Sequence, residues 1–296
     1  MERNLKEFTL PKNLRISTRT ATSKINSSID LQVIYDNLEL DEQIKYIEYG
    51  INTPKGESKK IISDKKKKKK KVFYNQITIL IKVDYLYNNI KLFNNGSISM
   101  TGVKSESIGK KSVDILFDKL LNIHNIHKLF NVDTPIIEFY KIVLINSDYD
   151  IGYEIKRSEL HQLLVNNYDI YSSYEPCIYP GVNSKYYWNK KYKDNDYYKF
   201  PGKCQCDHVC NGKGIGDGDG ECKKVTISVF QSGSIIITGA NSLEQIIDCY
   251  EFISSVFKKH ESLLRKENPL NIDSSHLKKN KQKNPIIYIK KTNIVY

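Results

Sequence analysis

The sequence predicts an α+β fold: one antiparallel sheet built from two tandem repeats, with helices on a single face. Three observations lead there. The stretch Phe-Asn-Asn-Gly-Ser-Ile-Ser-Met-Thr-Gly-Val-Lys-Ser, from Phe93 to Ser105, is answered by Phe-Gln-Ser-Gly-Ser-Ile-Ile-Ile-Thr-Gly-Ala-Asn-Ser, from Phe230 to Ser242. At one constant offset Phe93 falls on Phe230, Gly96 on Gly233, Ser97 on Ser234, Ile98 on Ile235, Thr101 on Thr238, Gly102 on Gly239 and Ser105 on Ser242, so the chain is an internal duplication. Within each copy an apolar run ends in Phe, a short polar step reaches a Gly able to take positive φ, and a second apolar run closes on Thr-Gly, the pattern of a β-hairpin. After Thr-Gly the period changes. Leu243, Ile246, Ile247, Tyr250, Ile253 and Phe257 recur at three and four residues, an amphipathic helix with Ser242 as its N-cap. Each unit has one apolar helix stripe to bury, so two units can fuse their hairpins into one sheet and leave its other face open to a partner.

The elements follow in order. Residues 1–10 are a flexible arm ahead of the first repeat, 11–134. Arg15 to Thr22 alternates as a strand, and Ile29, Val33, Ile34 and Leu38 space a short helix, with Asp30 and the two serines before it as candidate caps. An insertion at 55–71 carries Lys59, Lys60 and the unbroken run Lys65 to Lys71, too self-repelling to fold alone. It is either a solvated loop or a phosphate-binding or nuclear-import element. Gln76 to Tyr87 and Asn89 to Phe93 read as strands, with Ser97 to Val103 returning. Lys110 to Leu121 reads as the first long helix, with Val113, Leu116, Phe117, Leu120 and Leu121 inward. Pro135 marks the boundary to the second repeat, 135–262, which opens with Phe139 to Asn146 as a strand and Ile155 to Leu164 as a short helix. A Cys-rich insertion follows at 186–224, and 263–296 is a basic tail.

With 296 residues and 40% hydrophobic content the chain can bury a sizeable core or two half-cores. A net charge of +12 favours an anionic partner, nucleic acid or an acidic surface, without choosing between them. The abundance of Lys, Asn, Ile and Tyr is equally what an AT-rich coding sequence would give. Met1 to Phe8 lacks the apolar centre of a secretory signal, and no run reaches the roughly 18 apolar residues of a membrane span. The six Cys are therefore expected in a reducing compartment, where clustered thiols suggest metal before disulfide. Catalytic signatures are missing: no His-x-Glu lies near a Pro-Cys-x-x-Cys, and no Gly-x-x-x-x-Gly-Lys occurs. No enzymatic activity is expected.

The Phe-x-x-Gly-x-Ile-x-x-Thr-Gly-Ala pattern resembles the repeat signature of the TATA-box-binding protein family. The run Ser172-Ser173-Tyr174-Glu175-Pro176-Cys177-Ile178-Tyr179-Pro180-Gly181 resembles that family's second-repeat Ser-Ser-Tyr-Glu-Pro-Glu-Leu-Phe-Pro-Gly. Ile29 to Ile34 is similar to its Leu-Asp-Leu-Lys-Thr-Ile, and Glu48-Tyr49 followed by Pro54 to its Glu-Tyr-Asn-Pro. The resemblance spans 11–262, broken by the two insertions. It implies a pseudo-twofold saddle, a curved antiparallel sheet with helices on the convex face. It further implies a general transcription initiation factor that binds and bends AT-rich, TATA-like promoter DNA through the minor groove and nucleates the pre-initiation complex. The implied partners are a transcription factor IIB-like protein and the RNA polymerase machinery. The implied location is the nucleus, or a cytoplasmic viral transcription compartment if the chain is virus-encoded.

Members of that family kink the duplex with paired Phe wedges. Phe93 and Phe230 match one wedge of each pair; a Phe at a hairpin mouth is otherwise a core anchor, but its recurrence beside Thr-Gly in both halves favours the wedge. Tyr179 stands where the family has its other second-repeat Phe, and Lys71-Val72-Phe73, similar to the family's Lys-Arg-Phe, makes Phe73 the first-repeat counterpart. Thr101 and Thr238 match threonines that touch the minor groove, or are ordinary β-branched strand residues. Lys104 matches a phosphate contact whose second-repeat equivalent is Asn241. At the family's central pair of Asn residues, alignment puts Leu144 in the second repeat. Asn146 lies two residues on and on the same strand face as a substitute, and Thr18 or Thr20 lies near the first-repeat position. Glu175 and Ile178 match the loop that receives transcription factor IIB, where Cys177 replaces an acidic residue. Tyr179, Cys177 and the missing Asn residues also suit an alternative, a protein-interaction scaffold in transcription with weak or no DNA bending.

The second insertion carries Cys204, Cys206, His208, Cys210 and Cys222, more than the four ligands a structural zinc requires. Cys-x-Cys is tighter than the usual ligand spacing, so the alternative is a hairpin of reduced thiols. Zinc would be structural only, with no cofactor required. Asp217, Asp219 and Glu221 lack the twelve-residue pattern of a calcium loop.

Overall fold

A computed structural model describes residues 9–57, 72–123, 129–193 and 201–266. The arm before residue 9, the Lys65 to Lys71 run and the tail beyond residue 266 lie outside the described residues. The first half contains β1 (Arg15–Ile25), α1 (Leu31–Asn37), β2 (Ile44–Tyr49), β3 (Lys55–Gly56), β4 (Gln76–Val83), β5 (Leu86–Phe93), β6 (Ser97–Thr101) and α2 (Glu106–Leu121). The second contains β7 (Ile137–Asp150), α3 (Arg157–Asn166), β8 (Ser172–Ser173), β9 (Val182–Trp188), α4 (Lys190–Lys193), β10 (Lys223–Val229), β11 (Ser234–Ala240), α5 (Leu243–Lys259) and α6 (Glu261–Leu264).

These strands form one open, curved sheet in the order β3-β2-β4-β5-β6-β1-β7-β11-β10-β9-β8, antiparallel at every described pairing. β1 and β7 meet at its centre, and β6, β5 and β4 on one side answer β11, β10 and β9 on the other. The duplication is thus a pseudo-twofold axis between β1 and β7, and the fold is an α+β saddle.

Alternation assigns the two faces. In β5, Asn88, Ile90 and Leu92 are buried while Tyr87, Asn89 and Lys91 are exposed. In β9, buried Val182, Ser184, Tyr186 and Trp188 alternate with Asn183, Lys185 and Tyr187. A period of two puts the buried set under the helices and the other set on the open face. Each half owns a core. Leu116 and Leu120 of α2 gather with Ile79, Ile81 and Ile90 in one; Ile246, Ile253 and Phe257 of α5 gather with Ile227, Val229 and Ile237 in the other.

The caps come from the expected residues. Asp30 accepts from the Gln32 and Val33 amides, Ser105 from Ile108 and Ser242 from Gln245. Because Ser105 caps it, α2 starts at Glu106 rather than Lys110, and Leu121, expected inward, is exposed in the last turn. The turn between β4 and β5 sits earlier than expected, where Asp84 takes a positive φ of 54°. α5 buries Cys249, Phe252 and Val256 beyond the predicted stripe. β9 continues through Trp188 and β10 begins at Lys223, so the Cys-rich connection runs over 189–222, inside the span expected for the insertion. Among the described residues no helix is long and apolar enough to cross a membrane.

Candidate nucleic-acid interface

The centre of the open face is a band of hydroxyls and amides. Thr18 and Asn146 are directly opposed across β1 and β7, as are Thr20 and Leu144. Thr20 also opposes Thr101, which in turn opposes Asn89. In the second half Thr238 opposes Thr226. Thr238 Oγ1 donates to Asn146 Oδ1 at 2.5 Å, joining two residues that the sequence marks separately. A bulge in β11 between Ile237 and Ala240 aims Thr238 at this position.

Aromatic rings stand at the corners of this band. Tyr179 lies in the loop before β9 and Phe230 directly after β10. Val182 opposes Val229, which brings both rings to one end of the sheet. Their centroids are 5.8 Å apart with planes at 61°. Tyr179 is exposed and Phe230 half-buried, and neither belongs to a core cluster. Arg157, the first residue of α3, holds this corner. Its Nη1 donates to the Pro180 carbonyl, its Nη2 donates to Gln231 Oε1 at 3.0 Å, and its guanidinium lies 5.3 Å from the Tyr174 ring centroid. One side chain therefore ties the Tyr179 loop to the hairpin turn that carries Phe230.

In the first half Phe93 is half-buried at the end of β5, opposite Gln76. Phe73 is exposed, three residues before Gln76. Strand register gives a different counterpart to Tyr179. Ile77 opposes Leu92 as Val182 opposes Val229, and counting back three residues from Val182 and from Ile77 reaches Tyr179 and Tyr74. Tyr74, exposed, is thus the register equivalent, and Phe73 is its neighbour. The Lys-rich insertion ends just before this point, so the sequence offers no fixed spacing to separate the two.

Cations surround the band. By alternation Lys24, Lys91, Lys141, Lys185 and Lys224 fall on the open face. Lys185 Nζ donates to Thr226 Oγ1 at 3.0 Å; burial, then the like charge of Lys224, lowers its pKa. Asp148 is neutralised by Arg15, whose Nη2 lies 2.8 Å from its carboxylate. Lys104 is exposed just before α2, its carbonyl held by Arg19 Nη1. At the equivalent Asn241 the backbone amide donates to Gln245 Oε1 at 2.9 Å. Glu175, Cys177 and Ile178 are exposed on a turn closed by the Ile178 and Tyr179 amides, which donate to the Glu175 carbonyl at 2.9 and 2.8 Å. Arg157, Asn89, Lys185 and Lys224 also belong to this face and its corner, and no family motif marks them. Extending the repeat offset upstream of Phe93 and Phe230 pairs Asn89 with Thr226 and would have marked that row.

The Cys-rich connection brings four sulfurs together. Those of Cys204, Cys206, Cys210 and Cys222 all lie within 4.8 Å of one another. His208 does not join them. Its exposed ring turns to Asp219, whose carboxylate bonds His208 Nδ1 and also accepts from the Asp207 amide at 2.8 Å and the Tyr192 hydroxyl at 3.1 Å. Of the five candidate ligands expected from sequence, the fold brings four thiols together and leaves His208 apart.

No family model matches the chain. A curated relative, a TATA-box-binding protein-like protein of Acanthamoeba polyphaga mimivirus, is 33% identical over 270 residues, covering 86% of this chain and 68% of the relative. A solved structure, Methanococcus jannaschii TBP, is 17% identical with a TM-score of 0.45, covering 85% of this chain and 99% of that one.

Proposed function

The chain belongs to the TATA-box-binding protein-like family, and from that premise we propose that it is a transcription initiation factor that binds AT-rich duplex DNA through the minor groove, bends it and nucleates an initiation complex. The observation that carries this reading is the Tyr179–Phe230 pair, held outside the core at the corner of an open sheet face whose centre is Thr and Asn. Unstacking a base step costs a few kcal/mol, and a flat ring entering the step replaces part of the lost stacking. Thr hydroxyls and the Asn146 amide supply donors suited to A N3 and T O2, the acceptors that an A·T pair shows in the minor groove. The surrounding lysines fit the phosphates of a splayed backbone. Tyr179 brings a hydroxyl into this step, which has to keep a partner after insertion, since an unpaired one costs roughly 1–3 kcal/mol.

The Glu175–Ile178 turn projects beside the same corner and is proposed to receive a transcription factor IIB-like protein. No catalytic step is assigned to any residue. Given the viral relative, the proposed setting is the nucleus or a viral transcription compartment. Gel-shift titrations on matched AT-rich and GC-rich duplexes over a salt series test the reading. Preference for the AT-rich duplex and a steep loss of affinity with salt are expected. Equal affinity for both, unchanged in a Phe93→Ala/Phe230→Ala protein, would replace it with the scaffold reading.

A further inference from the structure

We propose that Cys204, Cys206, Cys210 and Cys222 bind one zinc ion that holds the insertion between β9 and β10 in place. A tetrahedral tetrathiolate centre with Zn–S of about 2.3 Å needs sulfurs about 3.8 Å apart. The Cys206 and Cys222 sulfurs are 3.4 Å apart and those of Cys222 and Cys204 3.9 Å apart, bracketing that edge. All four are free thiols. They arrive from two directions, three on the segment Cys204-x-Cys206-x-x-x-Cys210 and the fourth at the foot of β10, so a shared ion joins the far end of the loop to the sheet.

The surroundings are those of a ligand set rather than of idle thiols. Backbone amides of Gly212 and Cys222 bond the Cys210 sulfur, and the Cys206 amide bonds that of Cys204. The buried Asn189 donates through Nδ2 to Cys222 Sγ at 3.5 Å. Donors of this kind orient thiolates and spread their charge.

Backbone and side-chain hydrogen bonds tie the loop to its neighbours, but its described residues bury no aliphatic side chain. Between residues 201 and 222 the buried positions are Gly202, Gly212, Gly216 and Cys222, while the aliphatic Val209 and Ile215 are 99% and 71% exposed. A segment with no apolar core of its own needs a staple, and bound metal contributes folding free energy directly. His208 lies outside the group of four sulfurs, its ring turned to Asp219. The loop then rests on the sheet through Gly216, where an added Cβ would lie 2.4 Å from the Trp188 ring, and Trp188 Nε1 donates to Asp248 of α5 at 2.6 Å. Trp188 is the only tryptophan of the chain and reports on the site.

The test uses the full chain, expressed with zinc and purified under reducing conditions. One zinc per chain by elemental analysis is expected, released as a mercurial reagent titrates the thiols, and chelation should shift the Trp188 fluorescence. Cobalt in place of zinc should give the visible absorption of a tetrahedral thiolate site. That absorption should survive in His208→Asn and Cys177→Ser and disappear in Cys210→Ser. Metal-free wild-type protein whose fluorescence ignores chelation would overturn the proposal. So would disulfides among the four cysteines, or loss of the cobalt spectrum in His208→Asn.

Discussion

Gly181 has no room for a side chain because the two corner rings lean on it. An added Cβ would lie 2.9 Å from Tyr179 and 3.2 Å from Phe230. Gly181→Ala must push the pair apart, so it is expected to weaken DNA bending while leaving the melting temperature nearly unchanged, since neither ring is part of a core. Removing a ring acts more directly. Base–aromatic stacking is worth about 1–3 kcal/mol per base, so Phe230→Ala should weaken binding by about 5- to 150-fold. Lys185 supplies a pH signature. Its folded pKa is lowered by burial and Lys224, so its charged form is disfavoured in the folded protein below that pKa, and the penalty is relieved as pH rises through it. A phosphate beside the two lysines restores the charge. DNA binding at alkaline pH should therefore take up a proton, seen by calorimetry in buffers of different ionisation enthalpy, and Lys185→Met should abolish the uptake.

The hairpins carry the fold's symmetry at the level of elements. Gly96 and Gly233 take φ of 80° and 91° at equivalent turns, and their carbonyls accept from the Ile25 and Ile151 amides, which dock each hairpin on the strand leaving the centre. A Cβ at either would stand 2.3 Å from a backbone oxygen, of Ile25 in one half and Tyr153 in the other. Gly233→Ala is thus expected to destabilise by more than the roughly 1–3 kcal/mol of left-handed strain alone, read as a lowered midpoint in urea. These turns and the capped helices after them were legible in the sequence because each follows from local chemistry repeated twice, whereas β9, Val182–Trp188, runs into the span expected for the insertion. Tyr74 was not legible, because an insertion erased the spacing that would have pointed to it. All five metal candidates were visible as composition, but that His208 lies apart from the four sulfurs, turned to Asp219 eleven residues away, depends on the fold. Arg157 carries no motif; its role appears only once α3, the Pro180 loop and the Gln231 turn meet.

At the scale of the molecule the two halves are related but not equal. Arg157 opens α3 where the buried Leu31 opens α1, so the clamp of the second aromatic corner has no equivalent at that position in the first. On the proposed function the second corner is the better held of the two, and Phe230→Ala should impair bending more than Phe93→Ala. Such inequality would also give the complex a direction on a nearly symmetric site. The most direct test of the account is fluorescence transfer across an end-labelled AT-rich duplex. Wild-type protein should raise transfer by drawing the ends together, while Phe93→Ala/Phe230→Ala, with an unchanged melting temperature, should not. Saturating wild-type binding with no change in transfer would contradict it.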